Sequence, residues 1–293
     1  MKLATFVHEN GELPGALAGE EIVDLSQLGV RVEDLLANGL AGAQALVDSG
    51  EHRTPLPDVV LAPPVRPRKF FAIGLNYADH VAESGLETPK NLTVFTKAPT
   101  SVTGPYDPIE RPLVSGAIDY EGELGIVIGR RCRHVRAEKA AEVIAGYTIV
   151  NDVSVRDWQV MTPQWSLGKS FDTHGPIGPY IVTGDEVGDP HSLDLRTYVN
   201  GELRQNSNTS NLIFDCFTIV EILSQACTLE PGDVIATGTP AGVAAGMEGM
   251  PWLVPGDRVR VEIDGLGFIE NGVVAEAVPD GFEADPAWVA GRA

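Results

Sequence analysis

The chain has 293 residues, 43% of them hydrophobic, which is ample for one large or two smaller hydrophobic cores. Its formal net charge of −20 argues against nucleic-acid binding, which needs a basic surface, and against an anionic membrane surface. Three cysteines without a C-x-x-C pair argue against a disulfide framework or a thiolate zinc site. No signal-peptide pattern or membrane-length apolar run is visible, so the sequence predicts a soluble cytoplasmic protein.

The first 62 residues are predicted to form a small α+β appendage that carries no chemistry. Its apolar patterns indicate two strands and two short helices, at 3–7, 21–25, 32–37 and 41–47. A proline-rich connector follows at about 54–67, where we expect a domain boundary. We therefore divide the chain into a small N-terminal domain, a catalytic domain and a mostly polar tail: 1–62, 63–280 and 281–293.

A polar helical turn follows the first strand of the predicted catalytic domain, at 70–75. His80 and Glu83 are three residues apart, so on a helical turn they share one face. A carboxylate beside an imidazole orients the ring and raises its basicity, as a general base requires. The alternative at this point is an exposed polar turn with an incidental pair. A turn-rich stretch then leads past a strand at 94–97.

Two glutamates stand at the mouth of an apolar, β-branched segment at 119–129 that predicts a buried strand. Glu121 and Glu123 are two apart, so on a strand their side chains point to the same face. Neighbouring buried carboxylates repel each other and need a shared proton, a cation partner or a divalent metal. Oxygen ligands suit Mg2+, Mn2+ or Ca2+. A strand end with two hydrated glutamates is the alternative.

A third carboxylate, Asp152, ends the next predicted strand, at 147–154, which follows a predicted helix at 137–145. Three carboxylates on strands of one sheet, completed by water, can form an octahedral Mg2+ or Mn2+ site. Arg156 and Gln159 then lie on one side of a helical turn. Lys169 is either a cation near an anionic substrate or a surface lysine. Its Gly-Lys-Ser context is not a P-loop, because position 163 is Pro and not Gly.

The last third of the chain is predicted to supply mainly packing. A helix at 212–227, capped by Ser210 or Asn211, presents apolar residues to the core. The Gly238–Thr239 pair at a strand end allows a ligand to approach the backbone closely. The remaining predicted elements are a strand, a hairpin turned at Asn200-Gly201, and a last strand: 176–182, 195–205 and 259–263.

Together these motifs resemble the fumarylacetoacetate hydrolase family. Five segments carry the resemblance and occur in family order within about residues 68–272: 73–80, 119–124, 146–154, 169–172 and 235–243. The resemblance implies an α+β fold, a mixed β-roll or sandwich preceded by a small N-terminal α+β appendage. It also implies a site at the mouth of the roll and, usually, a homodimer.

The resemblance also implies roles for individual residues. Glu121, Glu123 and Asp152 would hold Mg2+ or Mn2+, with Ca2+ as a further candidate. His80 and Glu83 would form a catalytic dyad on a lid that closes over the substrate. The residues at positions that bind substrate, stabilise charge or support the metal ligands are Arg156, Gln159, Lys169, Thr173, Gly238 and Thr239.

The implied activity is metal-dependent hydrolysis of a C–C bond in a 2,4-dioxo acid of the acylpyruvate type, giving pyruvate and a carboxylic acid. The alternative is decarboxylation or isomerisation of oxaloacetate or a hydroxymuconate-type diacid in aromatic or sugar-acid catabolism. The pair His80–Glu83 favours hydrolysis, because decarboxylation needs no base for water. A non-catalytic metal-binding module and a structural protein with solvated carboxylates are the hypotheses of other classes. The expected partner is a small oxo acid, with no nucleic acid and no membrane.

Overall fold

A computed structural model of the protein describes residues 1–8, 11–85 and 87–278. Within these ranges the strands are β1 Lys2–His8, β2 Gly11–Ala18, β3 Glu21–Asp24, β4 Arg53–Pro55, β5 Val60–Ala62, β6 Phe70–Gly74, β7 Thr93–Lys97, β8 Val102–Thr103, β9 Ile109–Arg111, β10 Ile118–Asp119, β11 Gly122–Ile128, β12 Ile144–Asn151, β13 Ser154–Val155, β14 Gly175–Thr183, β15 Asp194–Val199, β16 Glu202–Asn208, β17 Val234–Ala236, β18 Arg258–Ile263 and β19 Gly267–Ala275. The α-helices are α1 Val32–Asn38, α2 Ala41–Ser49, α3 Ala78–Ser84, α4 Arg156–Gln159, α5 Gly184–Val187 and α6 Cys216–Ala226. Short 3-10 helices occupy Leu56–Asp58, Pro99–Ser101, Ala137–Glu142, Trp165–Leu167, Thr209–Asn211 and Ala244–Gly246.

The larger sheet is built around β11, the strand that carries the paired glutamates. Its strand order is β4-β3-β2-β1-β14-β12-β11-β17-β6-β7, and β5 and β8 pair with β1 and β14. Every residue of β11 is buried, as its continuous apolar run predicts for a central strand covered on both faces. The antiparallel pairing of β11 with β12 places Gly122 opposite Asn151. This register brings the mouth of β11 beside the end of β12.

A second sheet, with the order β16-β15-β18-β19-β9, packs across β11 and β12. Leu124 and Ile149 of the large sheet share one core with Leu195 and Val261 of the second sheet. The hairpin β15–β16 turns at Asn200-Gly201, both with positive φ, as predicted. Strands β10 and β13 form a third, two-stranded sheet, and these sheets with few helices confirm the predicted mixed α+β class.

The N-terminal strands extend the large sheet. Strand β1 pairs with β14 through Leu3 and Ile181, so residues 2–8 share a sheet with the strands around the carboxylates. The predicted strands and helices of this region are found as β1, β3, α1 and α2. The division at residues 62 and 280 stays a prediction, and the predicted tail, 281–293, lies outside the described residues.

Two helix predictions were wrong in part. The predicted helix at 137–145 is a 3-10 helix that ends at Glu142, because Ile144 already pairs with Ile128 in the sheet. Helix α6 begins at Cys216 and not at residue 212. Its N-cap is Asp215, whose carboxylate accepts a hydrogen bond from the Thr218 amide at 2.7 Å. None of the helices in the described ranges is long and apolar enough to cross a membrane.

Candidate active site

Three buried carboxylates converge where β11 begins and β12 ends. Glu121 and Glu123 stand at the start of β11, and Asp152 directly follows β12. The Asp152 amide donates a hydrogen bond to the Glu121 carbonyl at 2.8 Å, which continues the strand pairing to the site. One ligand oxygen from each carboxylate lies within 4.8 Å of the others. Strand register thus assembles the cluster from residues about thirty positions apart.

Buried cations surround two of these carboxylates. Lys169 Nζ lies 2.6 Å from Glu121 Oε2 and 2.7 Å from Asp152 Oδ2. Lys97 Nζ lies 2.6 Å from the other Asp152 oxygen, and an Arg156 nitrogen lies 2.6 Å from Glu121 Oε1. Burial alone would raise the pKa of Glu121, but Lys169 and Arg156 outweigh it and lower that pKa to about 2. Glu121 is therefore ionised in the folded protein.

Glu123 differs from its two neighbours. Among the described residues, no lysine or arginine lies within ion-pair distance of its carboxylate, which accepts one hydrogen bond from the Gly238 amide at 2.7 Å. Burial, and then repulsion from Asp152 and Glu121, holds its pKa well above the ordinary value. A divalent cation would remove this repulsion. The all-oxygen donor set and its unbalanced third carboxylate therefore fit a hard ion such as Mg2+ or Mn2+.

The predicted dyad lies on helix α3. His80 Nδ1 is 3.2 Å from Glu83 Oε2, and the two side chains are 16% and 22% exposed. The other Glu83 oxygen accepts a hydrogen bond from the Gly242 amide at 3.0 Å. A Cβ atom at position 246 would lie 2.7 Å from the Glu83 carboxyl carbon, so a side chain there would displace Glu83. A backbone segment therefore holds Glu83, which in turn orients the His80 ring.

A cavity of about 540 Å3 joins His80 to Glu121 and Glu123, whereas Glu83 and Asp152 are not among its lining residues. The predicted site residues that line it are His80, Glu121, Glu123, Arg156, Gln159, Lys169 and Thr239. The Thr239 hydroxyl donates to the Gly122 carbonyl at 3.0 Å. Gly238 does not line the cavity and its amide is bonded to Glu123, so its role in binding substrate stays a prediction. Thr173 does not line the cavity either: its hydroxyl accepts a hydrogen bond from the Glu110 amide at 2.9 Å, and its role in supporting the metal ligands stays a prediction.

Two buried residues of the site were missed in the sequence. Lys97 ends strand β7 and reaches Asp152, a contact that sequence spacing does not reveal. Asp119 accepts hydrogen bonds from Arg156 Nε at 2.8 Å and from the Ala244 and Ala245 amides at 2.8 and 3.0 Å. Its only signal was an acidic residue two positions before Glu121.

Comparison with known proteins places these features in a family context. The family model described as the fumarylacetoacetate (FAA) hydrolase C-terminal domain matches residues 69–274. The mitochondrial oxaloacetate tautomerase fahd2 of Xenopus laevis is 42% identical over 266 residues, which cover 87% of this chain and 83% of that protein.

Solved structures agree with this match. A fumarylacetoacetate hydrolase from psychrophilic Exiguobacterium antarcticum is 39% identical, with a TM-score of 0.85 and coverage of 94% of this chain and 100% of that one. A maleylpyruvate hydrolase from Sphingobium sp. SYK-6, in complex with manganese(II) ion and pyruvate, is 35% identical, with a TM-score of 0.80 and the same coverage.

Proposed function

The chain belongs to the fumarylacetoacetate hydrolase family, and from that premise we propose that it is a divalent-metal-dependent hydrolase of acylpyruvate-type 2,4-dioxo acids. The reaction cleaves the bond between C3 and C4 and gives pyruvate and a carboxylic acid. One observation carries the proposal: the His80 side chain faces the same cavity as Glu121 and Glu123. A general base thus stands across from a carboxylate cluster that fits a metal.

The carboxylates Glu121, Glu123 and Asp152 would hold the ion. When bound, Mg2+ or Mn2+ supplies a Lewis acid that polarises the oxo-acid end of the substrate. The manganese and pyruvate in the maleylpyruvate hydrolase structure support this chemistry for the family. Arg156 and Gln159, joined by a hydrogen bond of 2.9 Å at the cavity wall, would bind the substrate carboxylate.

The dyad would perform the proton transfers. Glu83 accepts at His80 Nδ1, so the other ring nitrogen, Nε2, is the one left to take a proton from water. The water oxygen bonds to C4, the C3–C4 bond breaks, and its electron pair passes to the pyruvate part as an enolate. The proton held by His80 then passes to C3. Lys169 would stabilise the negative charge that develops on the substrate.

A second candidate is keto–enol tautomerisation of oxaloacetate, favoured by the name of the Xenopus laevis relative. This reaction moves one proton between C3 and an oxygen atom. His80 could carry that proton, and no water would attack the substrate.

The test is a substrate panel with Mg2+ or Mn2+, in which pyruvate release and oxaloacetate tautomerisation are measured separately. We expect pyruvate from acylpyruvates, with a loss of about 100- to 10,000-fold in His80→Ala. Stabilisation of that variant by the divalent ion should persist, because His80 is not among the carboxylates. The control is His52→Ala, at a side chain that is 56% exposed. Undiminished hydrolysis by His80→Ala would contradict the mechanism, and tautomerisation without pyruvate release would favour the second candidate.

A further inference from the structure

The cavity has a large apolar wall in addition to its polar groups. The wall residues used in the argument are Ile73, Phe95, Val160, Trp165, Met250 and Trp252. Two indoles and a phenyl ring dominate this set. Aromatic side chains offer large apolar contact areas to a ligand.

This wall begins directly beside the charged cluster. Lys169 Nζ lies 5.0 Å from the centre of the Phe95 ring, and the Phe95 and Trp165 ring centres are 5.6 Å apart. The Trp165 ring packs on Gly74, where a Cβ atom would come within 2.3 Å of the indole. Phe95 and Trp165 are therefore held in place by packing. A substrate whose oxo-acid end lies at the cluster would extend its tail along these rings.

The lysine and arginine that line the cavity lie at the carboxylate cluster, where the oxo-acid end of the substrate would bind. Among the described lining residues these are Lys169 and Arg156, besides His80. Lys169 is held by Glu121 and Asp152, and Arg156 lies 2.7 Å from Asp119 and 2.6 Å from Glu121. A carboxylate at the far end of a substrate would lose water without gaining a counter-ion on the apolar wall.

We infer that the acyl group of the substrate is apolar and bulky, as in an aroylpyruvate or a branched alkanoylpyruvate, and does not end in a second carboxylate. The inference rests on the proposed function, which supplies the oxo-acid end of the substrate. It separates this chain from relatives named for oxaloacetate and maleylpyruvate, which are both diacids. An apolar tail would gain from burial against the rings of Phe95 and Trp165.

Three acylpyruvates with one head and different tails test the inference: benzoylpyruvate, acetylpyruvate and succinylpyruvate. We expect kcat/KM for benzoylpyruvate to exceed that for acetylpyruvate by about tenfold or more, with succinylpyruvate the poorest. A value for succinylpyruvate equal to or above that for benzoylpyruvate would overturn the inference and leave the proposed hydrolysis intact.

Binding gives a second readout. Calorimetric titration of the three compounds into His80→Ala protein with Mg2+ should give the same order of affinity. If wild-type protein releases no pyruvate but this order holds, the proposed hydrolysis fails, whereas the selection of apolar tails by the cavity wall stands. Equal affinities, or tighter binding of succinylpyruvate, would refute the inference whatever the activity.

A cation placed on the wall should weaken the preference for an apolar tail. Val160 is 76% exposed at the cavity, so Val160→Arg should fold and should raise the ratio of succinylpyruvate to benzoylpyruvate turnover by about tenfold. The matched control is Val60→Arg, at a valine on β5 that is 65% exposed and does not line the cavity. An unchanged ratio in Val160→Arg would count against selection by this wall.

Discussion

Replacing Glu123 by glutamine should stabilise the metal-free protein and abolish its response to the divalent ion. Glu123 is the buried carboxylate of the cluster without a lysine or arginine partner among the described residues. A glutamine side chain has nearly the same shape and can still accept the hydrogen bond from the Gly238 amide. It removes one negative charge from beside Glu121 and Asp152.

Proton binding at Glu123 limits how much the substitution can stabilise the metal-free protein. At a pH of about 7, the folded metal-free protein can avoid the third charge by binding a proton at Glu123. For a group whose ordinary pKa is 4.5, this costs at most about 3 kcal/mol, at roughly 1.36 kcal/mol for each pH unit. Glu123→Gln should therefore raise the free energy of unfolding by up to about 3 kcal/mol in the absence of a divalent ion.

The effect has a definite pH dependence. Because the folded-state pKa of Glu123 lies well above 4.5, the folded protein binds more protons than the unfolded chain above that pH. Metal-free wild-type protein should therefore lose stability at this group as the pH rises from about 4.5 toward the folded-state pKa. The difference in the free energy of unfolding between wild type and Glu123→Gln should vanish near pH 4.5.

Urea unfolding measured by circular dichroism, with a chelator or with excess Mg2+, provides the assay. At an Mg2+ concentration 100 times its dissociation constant, the free energy of unfolding of wild type should rise by about 2.7 kcal/mol. That of Glu123→Gln should hardly change. The control Glu138→Gln, at a side chain that is 67% exposed, should stay within about 0.5 kcal/mol of wild type. Destabilisation of metal-free Glu123→Gln at neutral pH, or an undiminished response to Mg2+, would refute the reasoning.

Two further predictions concern the contact between Glu83 and position 246 and a buried histidine. Gly246→Ala should lower kcat by about tenfold or more with an unchanged Mg2+ response, because its Cβ would lie 2.7 Å from the Glu83 carboxyl carbon. The control is Gly184→Ala, where an added Cβ atom would meet nothing within 4 Å, and an equal loss of kcat in that variant would contradict the role of the Glu83 contact. Burial lowers the pKa of His174 from 6.5 to about 4, so wild type should lose about 3 kcal/mol as the pH falls through that interval. If the free energy of unfolding changes equally with pH in wild type and His174→Gln across this interval, the prediction for His174 is wrong.

The strands that position the cluster could be predicted because their signals are local. The apolar run after Glu123 predicts a buried central strand, and β11 is buried throughout. The ordered motifs were sufficient for the family resemblance, which the match over residues 69–274 confirms. The start of α6 was missed because Asn76, far away in the chain, binds the amides of Ile213 and Phe214 and diverts them from a helix.

The electrostatic and apolar surroundings of the site could not be predicted, because their partners are distant in sequence. Lys97 contacts Asp152 across 55 positions, although its place at a strand end suggests a solvated side chain. Trp165 packs against Phe95, and the indole fits there because residue 74 is a glycine and has no Cβ atom. No sequence period links these positions, so the apolar wall becomes visible only in three dimensions.

Asp119 joins the two halves of the proposed mechanism. Its buried carboxylate binds Arg156, which would hold the substrate, and the amides of Ala244 and Ala245. The same short segment uses its Gly242 amide to hold the dyad glutamate of α3. Asp119 thus connects Arg156 with the backbone segment that holds Glu83. Because proton transfer depends steeply on such distances, we expect Asp119 to help position the dyad, although it does not line the cavity itself.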